Sequence, residues 1–142
     1  MKVVFKNSSI KFESFDESYK VTNVVGYLNP NYKLTSTSGF NVNIVKVNKG
    51  DVISISGKMK LIAAAYAVYE GIPSNLTDAS VLIDFTTNAP RLVEGDNSYD
   101  QTEKSINATF TVSKDNCVLM TSNTDNNSER TLKIVKNGIA LN

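Results

Sequence analysis

Residues 40–57 read FNVNIVKVNKGDVISISG, two alternating runs about a turn, and no other stretch constrains the fold as strongly. Phe40, Val42 and Ile44, then Ile53 and Ile55, occupy every second position. That period puts side chains on one face of a pleated strand, with Asn and Ser on the other. Asn48, Lys49, Gly50 and Asp51 between the runs supply turn chemistry, Gly50 because it accepts a positive φ without a Cβ clash. The stretch therefore predicts a β-hairpin. Ile44 is followed by apolar Val45 and then Val47, a slip of phase that predicts a bulge or a strand changing sheets.

The same reading along the chain predicts short strands at 3–6, 10–15, 20–25, 40–47, 52–56, 61–69, 81–85, 106–112, 117–122 and 132–135. Turn-rich segments at 26–31, 36–39, 70–74, 95–100, 113–116 and 122–128 separate them. Residues 60–69, KLIAAAYAVY, carry conflicting signals, since consecutive alanines favour a helix while Tyr66 and Val68 favour a strand; they are read here as a strand. A short helix is predicted at 75–79 with Ser74 as its N-cap. Short strands at this spacing predict an all-β fold, an antiparallel β-sandwich of jelly-roll-like form. At 142 residues and 41% hydrophobic content, one domain spanning 1–142 can bury a two-layer core without metal or disulfide support.

Composition narrows function mainly by exclusion. There is no histidine, so Ser-His-Asp and Cys-His nucleophile systems and histidine-based metal sites are ruled out. The lone cysteine, Cys117, sits in an apolar run and is expected to be a small buried hydrophobe. A net charge of +1 with only Arg91 and Arg130 as arginines argues against a nucleic-acid partner. Nothing reaches the length of a membrane span, so no membrane partner is expected. The apolar run near the N-terminus is shorter than the roughly 7–15 residues of a secretory leader. The chain is thus expected to stay in the cell that makes it, to leave by lysis or assembly, or to have lost a leader.

Three chemistries remain to be placed on residues. Paired carboxylates for glycoside hydrolysis would fall to Glu70 and Asp84, near the ends of predicted strands. A Ca²⁺ site would use Asp96, Asp100 and Glu103, with Asn97 and Ser98 between them; an Asp/Asn turn accounts for the same loop, and 125–127 is a weaker second candidate. A sugar site needs aromatic planes beside amides; Tyr27 and Tyr32 flank Asn29-Pro30-Asn31, and Tyr66, Tyr69 and Tyr99 are the further candidates. The predicted ligand-binding set is Tyr27, Asn29, Tyr32 and Tyr66. Tyrosines that close the ends of a sandwich with their hydroxyls in water are the structural alternative.

The order of parts adds a family resemblance. Gly39-Phe40 through Val47, Lys49-Gly50-Asp51, Val52 through Gly57, Ala65-Tyr66-Ala67-Val68-Tyr69, Ala108-Thr109-Phe110-Thr111-Val112 and Cys117-Val118-Leu119 together resemble small jelly-roll modules in virion proteins of tailed phages, those of crAss-like and other Bacteroides phages above all. Such modules often place Val-Pro after the late strand, where Val112 is followed here by Ser113-Lys114-Asp115. The resemblance implies a virion structural protein, a head-fibre, capsid-decoration or tail-fibre subunit that binds and assembles without catalysis. It further implies homo-oligomers, other virion proteins as partners, a host surface glycan as a further partner, and residues 1–15 as a docking or oligomerisation segment. The alternative is a carbohydrate-binding module of a bacterial surface or extracellular protein.

Overall fold

The computed structural model describes residues 17–61, 63–97, 100–123 and 131–142, with 61 and 100–102 described by backbone alone. The strands predicted at 3–6 and 10–15, the docking segment 1–15 and the loop 125–127 lie outside the described residues. The described chain is an all-β antiparallel sandwich with one added α-helix. A 3₁₀ turn (Glu17–Tyr19) leads into β1 (Val21–Val25), β2 (Tyr27–Leu28), β3 (Leu34–Thr35), β4 (Asn41–Val47), β5 (Val52–Leu61) and β6 (Tyr66–Glu70). After α1 (Ala79–Asn88) come β7 (Arg91–Glu94), β8 (Asp100–Thr111), β9 (Cys117–Asn123), β10 (Lys133–Lys136) and β11 (Ile139–Ala140). One sheet has the order β1-β4-β9-β6-β7, the other β11-β10-β5-β8, and β2 pairs with β3 in a separate ribbon.

The predicted hairpin at 40–57 does not form. β4 lies in the five-stranded sheet and β5 in the four-stranded one. The reason is that both edges of β4 are taken, by β1 and by β9. The turn itself bonds away from β4: Gly50 N–H donates to the Val112 carbonyl at 2.9 Å and Val112 N–H returns to the Asp51 carbonyl at 2.9 Å. Asn48 to Asp51 thus hands the chain to the other sheet, where β5 pairs with β8 and β10.

Nor is there a bulge at Ile44. The β4–β9 register runs unbroken from Asn41↔Asn123 to Val47↔Cys117. β4 is instead buried on both faces, which produces a continuous apolar run in place of alternation. Val45 and Val47 join Ile53, Ile55, Met59, Leu119 and Ile134 between the sheets. Val42 and Ile44 face the opposite way, into a second core with Val24, Leu28, Leu34, Ala67, Tyr69, Leu82 and Met120. The five-stranded sheet is therefore the middle of three layers, with α1 and the β2–β3 ribbon as the third. On the far side, Ser56, Lys58, Lys60, Ser105, Asn107 and Thr109 leave the outer face of the four-stranded sheet exposed.

Residues 81–85, predicted as a strand, lie inside α1, and the predicted helix at 75–79 is a loop as far as Asp78, with Ala79 the first residue of α1. Asp78 is the N-cap: its Oδ1 accepts from Ser80 N at 2.9 Å and Val81 N at 3.3 Å. Asn75 takes the role expected of a helix start by a local route, its Oδ1 accepting from Thr77 N at 2.9 Å and Asp78 N at 3.2 Å. Leu82 and Thr86, four residues apart, form the buried side of the helix. Thr86 Oγ1 accepts from Leu34 N–H at 2.9 Å, tying the ribbon to the helix. Ala89, held extended ahead of Pro90, ends it.

The reading of 60–69 as one strand holds at its two ends only. β5 runs to Leu61 and β6 begins at Tyr66. Ala63, Ala64 and Ala65, all but fully buried, carry the chain between the sheets. Ala64 N–H donates to Leu28 O and Ala65 N–H to Asp96 O, both at 2.8 Å, while Ala65 O accepts from Ser122 N–H of β9 at 2.9 Å, so the N–H groups of this buried crossing bond outside the two sheet ladders.

A lysine closes one end of the sandwich. Lys136, 1% exposed, points inward from β10. Its Nζ donates to the Ser18 carbonyl, to the Lys46 carbonyl at 3.0 Å, and lies 3.6 Å from Asp51 Oδ2 and 4.6 Å from the Tyr19 ring centroid. Asp51 Oδ1 accepts from Asn137 Nδ2 at 3.0 Å, and Asn137 Oδ1 accepts from Val52 N–H at 2.8 Å. This network ties the 3₁₀ turn to both sheets.

Cys117 is fully buried, as expected, with its thiol on the Lys114 and Asp115 carbonyls at 3.4 and 3.5 Å. Burial pushes its pKa up. Ellman's reagent is expected to leave the native protein unlabelled and to titrate one thiol per chain in denaturant; rapid labelling of the folded chain would contradict this placement.

Candidate functional site

The loop after β7 gathers several of the residues selected from sequence. Tyr32, at φ 64° in the β2–β3 turn, is 6% exposed and donates its hydroxyl to the Gly95 carbonyl. Arg91, paired with Glu94 at 2.7 Å, places its guanidinium 5.5 Å from the centre of the Tyr32 ring. Gly95 N–H donates to the Tyr66 carbonyl at 2.9 Å, and a Cβ on Gly95 would fall 2.6 Å from the Tyr66 ring. Only glycine lets the loop lie against that ring. Tyr66 stacks on Phe110 at 5.9 Å and 9°. Tyr69, behind this group, donates its hydroxyl to the Tyr32 carbonyl at 2.5 Å.

These contacts make the cluster a strap that pins the outer ribbon to β6. Tyr32 is enclosed, one face of Tyr66 lies on Phe110, and Tyr27 packs on Phe40 at 5.6 Å. Asn29 is a turn former: its Oδ1 accepts from Asn31 N at 2.8 Å and Lys33 N at 3.2 Å. Tyr27, Asn29, Tyr32 and Tyr66 thus do not combine into one stacking surface. Local sequence placed Tyr32 beside an exposed loop, and the left-handed turn rotates it inward.

The Ca²⁺ set is divided as well. Asp96 pairs with Lys104 at 2.6 Å, and Glu103 lies 3.9 Å from Lys58. Glu103 and Lys104 are neighbours on β8, so their side chains leave opposite faces and Glu103 points away from the Asp96 pair. Asp100 opens β8 opposite Leu61 and is described by backbone alone. Among the described residues no three His, Cys, Asp or Glu side chains converge as metal ligands. Glu70 is engaged by Lys114 at 2.8 Å, and Asp84 sits on the exposed side of α1.

Burial, its largest cause, raises the pKa of Tyr69 strongly and those of Tyr32 and Tyr66 less. A neutral phenol is held in the fold while the unfolded chain ionises near about pH 10. The stability this supports is complete below that value and falls as pH rises beyond it. Tyr69→Phe is expected to cost about 1–3 kcal/mol at neutral pH, by leaving the Tyr32 carbonyl unpaired. In urea titrations between pH 9 and 11 the variant should lose less further stability than the parent; an identical alkaline loss in both would assign the effect elsewhere.

A second feature was not anticipated from the sequence. Where the helix layer stops, an open cleft of about 330 Å³ lies between the start of the chain and the loop before α1. Glu17, Lys20, Thr22 and Lys46 line one side, and Ser74, Asn75, Leu76 and Thr77 the other. Its floor follows from strand parity: Thr22 faces the same way as Ile44, its partner across the strands, and Lys46 lies one alternation further along β4. The faces that are apolar under the helix at Val24, Val42 and Ile44 become polar at Thr22 and Lys46, beyond its cover. That switch was readable once the strands were paired, but the opposing loop lies some 30 residues from Lys46 and carries no matching local motif.

No protein-family model, curated protein or solved structure matches this chain.

Proposed function

We propose that this chain is a structural subunit of a tailed-phage virion, a head-fibre, capsid-decoration or tail-fibre component that acts by binding and assembly without catalysis. The reading rests on the jelly-roll-module resemblance of its strand and turn sequences; jelly-roll connectivity, virion location and partnership with other virion proteins belong to the same proposal. The observation that carries it from the fold is where the chemically able side chains go. Tyr32, Tyr69, Asp51 and Lys136 each direct polar atoms into bonds that join layers or close an end of the sandwich, while Cys117 and Arg91 bond within their own turn and strand. Such a molecule is a rigid building block whose output is its surface. Assembly with copies of itself follows from this reading, most commonly with closed cyclic symmetry.

Light scattering coupled to size exclusion tests it. The expected mass is a dimeric or trimeric multiple of the 15.5 kDa chain. A strictly monomeric protein at every concentration would count against the assembly reading.

A further inference from the structure

We propose that the cleft between the 3₁₀ turn and the loop before α1 binds an acidic saccharide, a small polyhydroxyl ligand whose carboxylate is held by Lys20 and Lys46. Its volume of about 330 Å³ lies near the lower bound of ligand pockets, roughly 300–1,000 Å³, and suits about one or two sugar rings. The lysines supply the charge selection. Neither Lys20 nor Lys46 makes an ion pair among the described residues, and Glu17 on the same wall pairs with neither. Among the described residues the cleft therefore carries two ammonium groups against one carboxylate. Fixed cations beside a concave wall favour an anion, with a strength that salt screens.

The remaining lining matches the hydroxyls and the carbon face of a sugar. Thr22, Ser74 and Thr77 bring hydroxyls, and Leu76, whose inner side packs on the second core, supplies an apolar wall for ring C–H groups. Asn75 is oriented in advance. Its Oδ1 accepts from Thr77 N, Thr77 Oγ1 and Asp78 N at 2.9, 3.1 and 3.2 Å, which leaves its Nδ2 protons to donate to a ligand. The opposite wall is also held, since Lys136 grips the carbonyl of Ser18 between Glu17 and Lys20. Preformed walls lower the ordering cost of binding. Among the described residues no aromatic side chain lines the cleft, so a nucleotide base finds no stacking partner there, and a bare inorganic anion would use neither the hydroxyls nor Leu76.

This inference does not rest on the assembly reading, because oligomeric mass and ligand binding are separate observables. The test is an amide-resolved NMR titration of the ¹⁵N-labelled full chain with sodium glucuronate, beside glucose as the uncharged match. Saturable shifts at Thr22, Lys46 and Thr77 with glucuronate, little response to glucose, and weakening with added salt are expected. Lys20→Gln and Lys46→Gln should each bind about two- to fivefold more weakly, as for loss of a solvent-exposed charge pair. Lys33→Gln, outside the cleft, should bind as the parent does. All three positions are at least partly solvent-exposed, and unchanged spectra away from the substitution confirm the fold. Equal binding of glucose, shifts centred on Tyr27 and Tyr32, or no saturable response to glucuronate would each overturn the proposal.

Discussion

Lys136→Ala will lower the unfolding free energy by about 3–5 kcal/mol, the loss expected when one partner of a buried, hydrogen-bonded charge pair is removed. The side chain is 1% exposed, and its ammonium is the shared donor for the Ser18 and Lys46 carbonyls and the neighbour of Asp51. Alanine deletes that donor, leaving the Ser18 and Lys46 carbonyls without it and the Asp51 carboxylate, still bonded by Asn137 Nδ2 and Asn48 N–H, without its neighbouring cation. For a chain of this size the midpoint of thermal unfolding should fall by roughly 10–15 °C. Lys133→Ala is the control, because Lys133 lies on the same strand but is exposed; its effect should stay within about 0.5 kcal/mol. Asp51→Asn should cost less than Lys136→Ala, since the ammonium keeps its two carbonyl acceptors. Similar midpoints for Lys136→Ala and Lys133→Ala in urea would show that this network does not hold the 3₁₀ turn to the sheets.

Leu82→Ala will cost about 2–5 kcal/mol, the range for truncating a buried leucine. The expectation separates three layers from two. In a two-layer sandwich a helix after β6 would be a surface appendage, and shortening one of its side chains would cost almost nothing. Here Leu82 is fully buried in the second core, which also holds Val42, Tyr69 and Met120 of the central sheet. Asp84→Ala, on the exposed side of the same helix, should be close to neutral. A denaturant midpoint for Leu82→Ala no lower than that of Asp84→Ala would mean that the helix does not cover the sheet.

The strands were legible where one face meets water and illegible where both faces are buried. In β8, Ile106, Ala108 and Phe110 alternate with exposed polar residues, and the strand follows from the sequence. In β4 every second residue is apolar on each face in turn, so Ile44-Val45 read as a slip when it marks burial from both sides. The same double burial concealed the third layer. Residues 81–85, VLIDF, are a short apolar run that suits a strand or a helix equally by period. What decides for helix is the Asp78 cap three residues earlier and the burial of Leu82 and Thr86 four apart, the second visible only after folding. β2, β3, β7 and β11 were missed because Tyr27–Leu28, Leu34–Thr35 and Ile139–Ala140 are too short for a pattern and Arg91–Glu94 is half charged. The apparent hairpin at 40–57 failed for a non-local reason: β1 and β9 compete for the edges of β4.

Residue chemistry transferred less well than strand position. The sequence put Tyr32 and Tyr66 in a sugar-binding set and Asp96 in a separate Ca²⁺ set; their surroundings in the fold depend on Gly95, whose missing Cβ admits the strap, and on Lys104, which takes the Asp96 carboxylate. The polar cleft draws on residues 17–22, 46 and 74–77, and only the β1–β4 pairing and the path of the chain into α1 bring them together.

The central claim is that the chain is a component of an assembled particle. Mass spectrometry of density-gradient-purified particles from a phage-infected culture that expresses this sequence tests it most directly. The chain should co-sediment with the major capsid protein at a constant ratio across the particle peak and resist removal by a salt wash. Recovery only in the soluble lysate, with none in the particle fractions, would contradict the account.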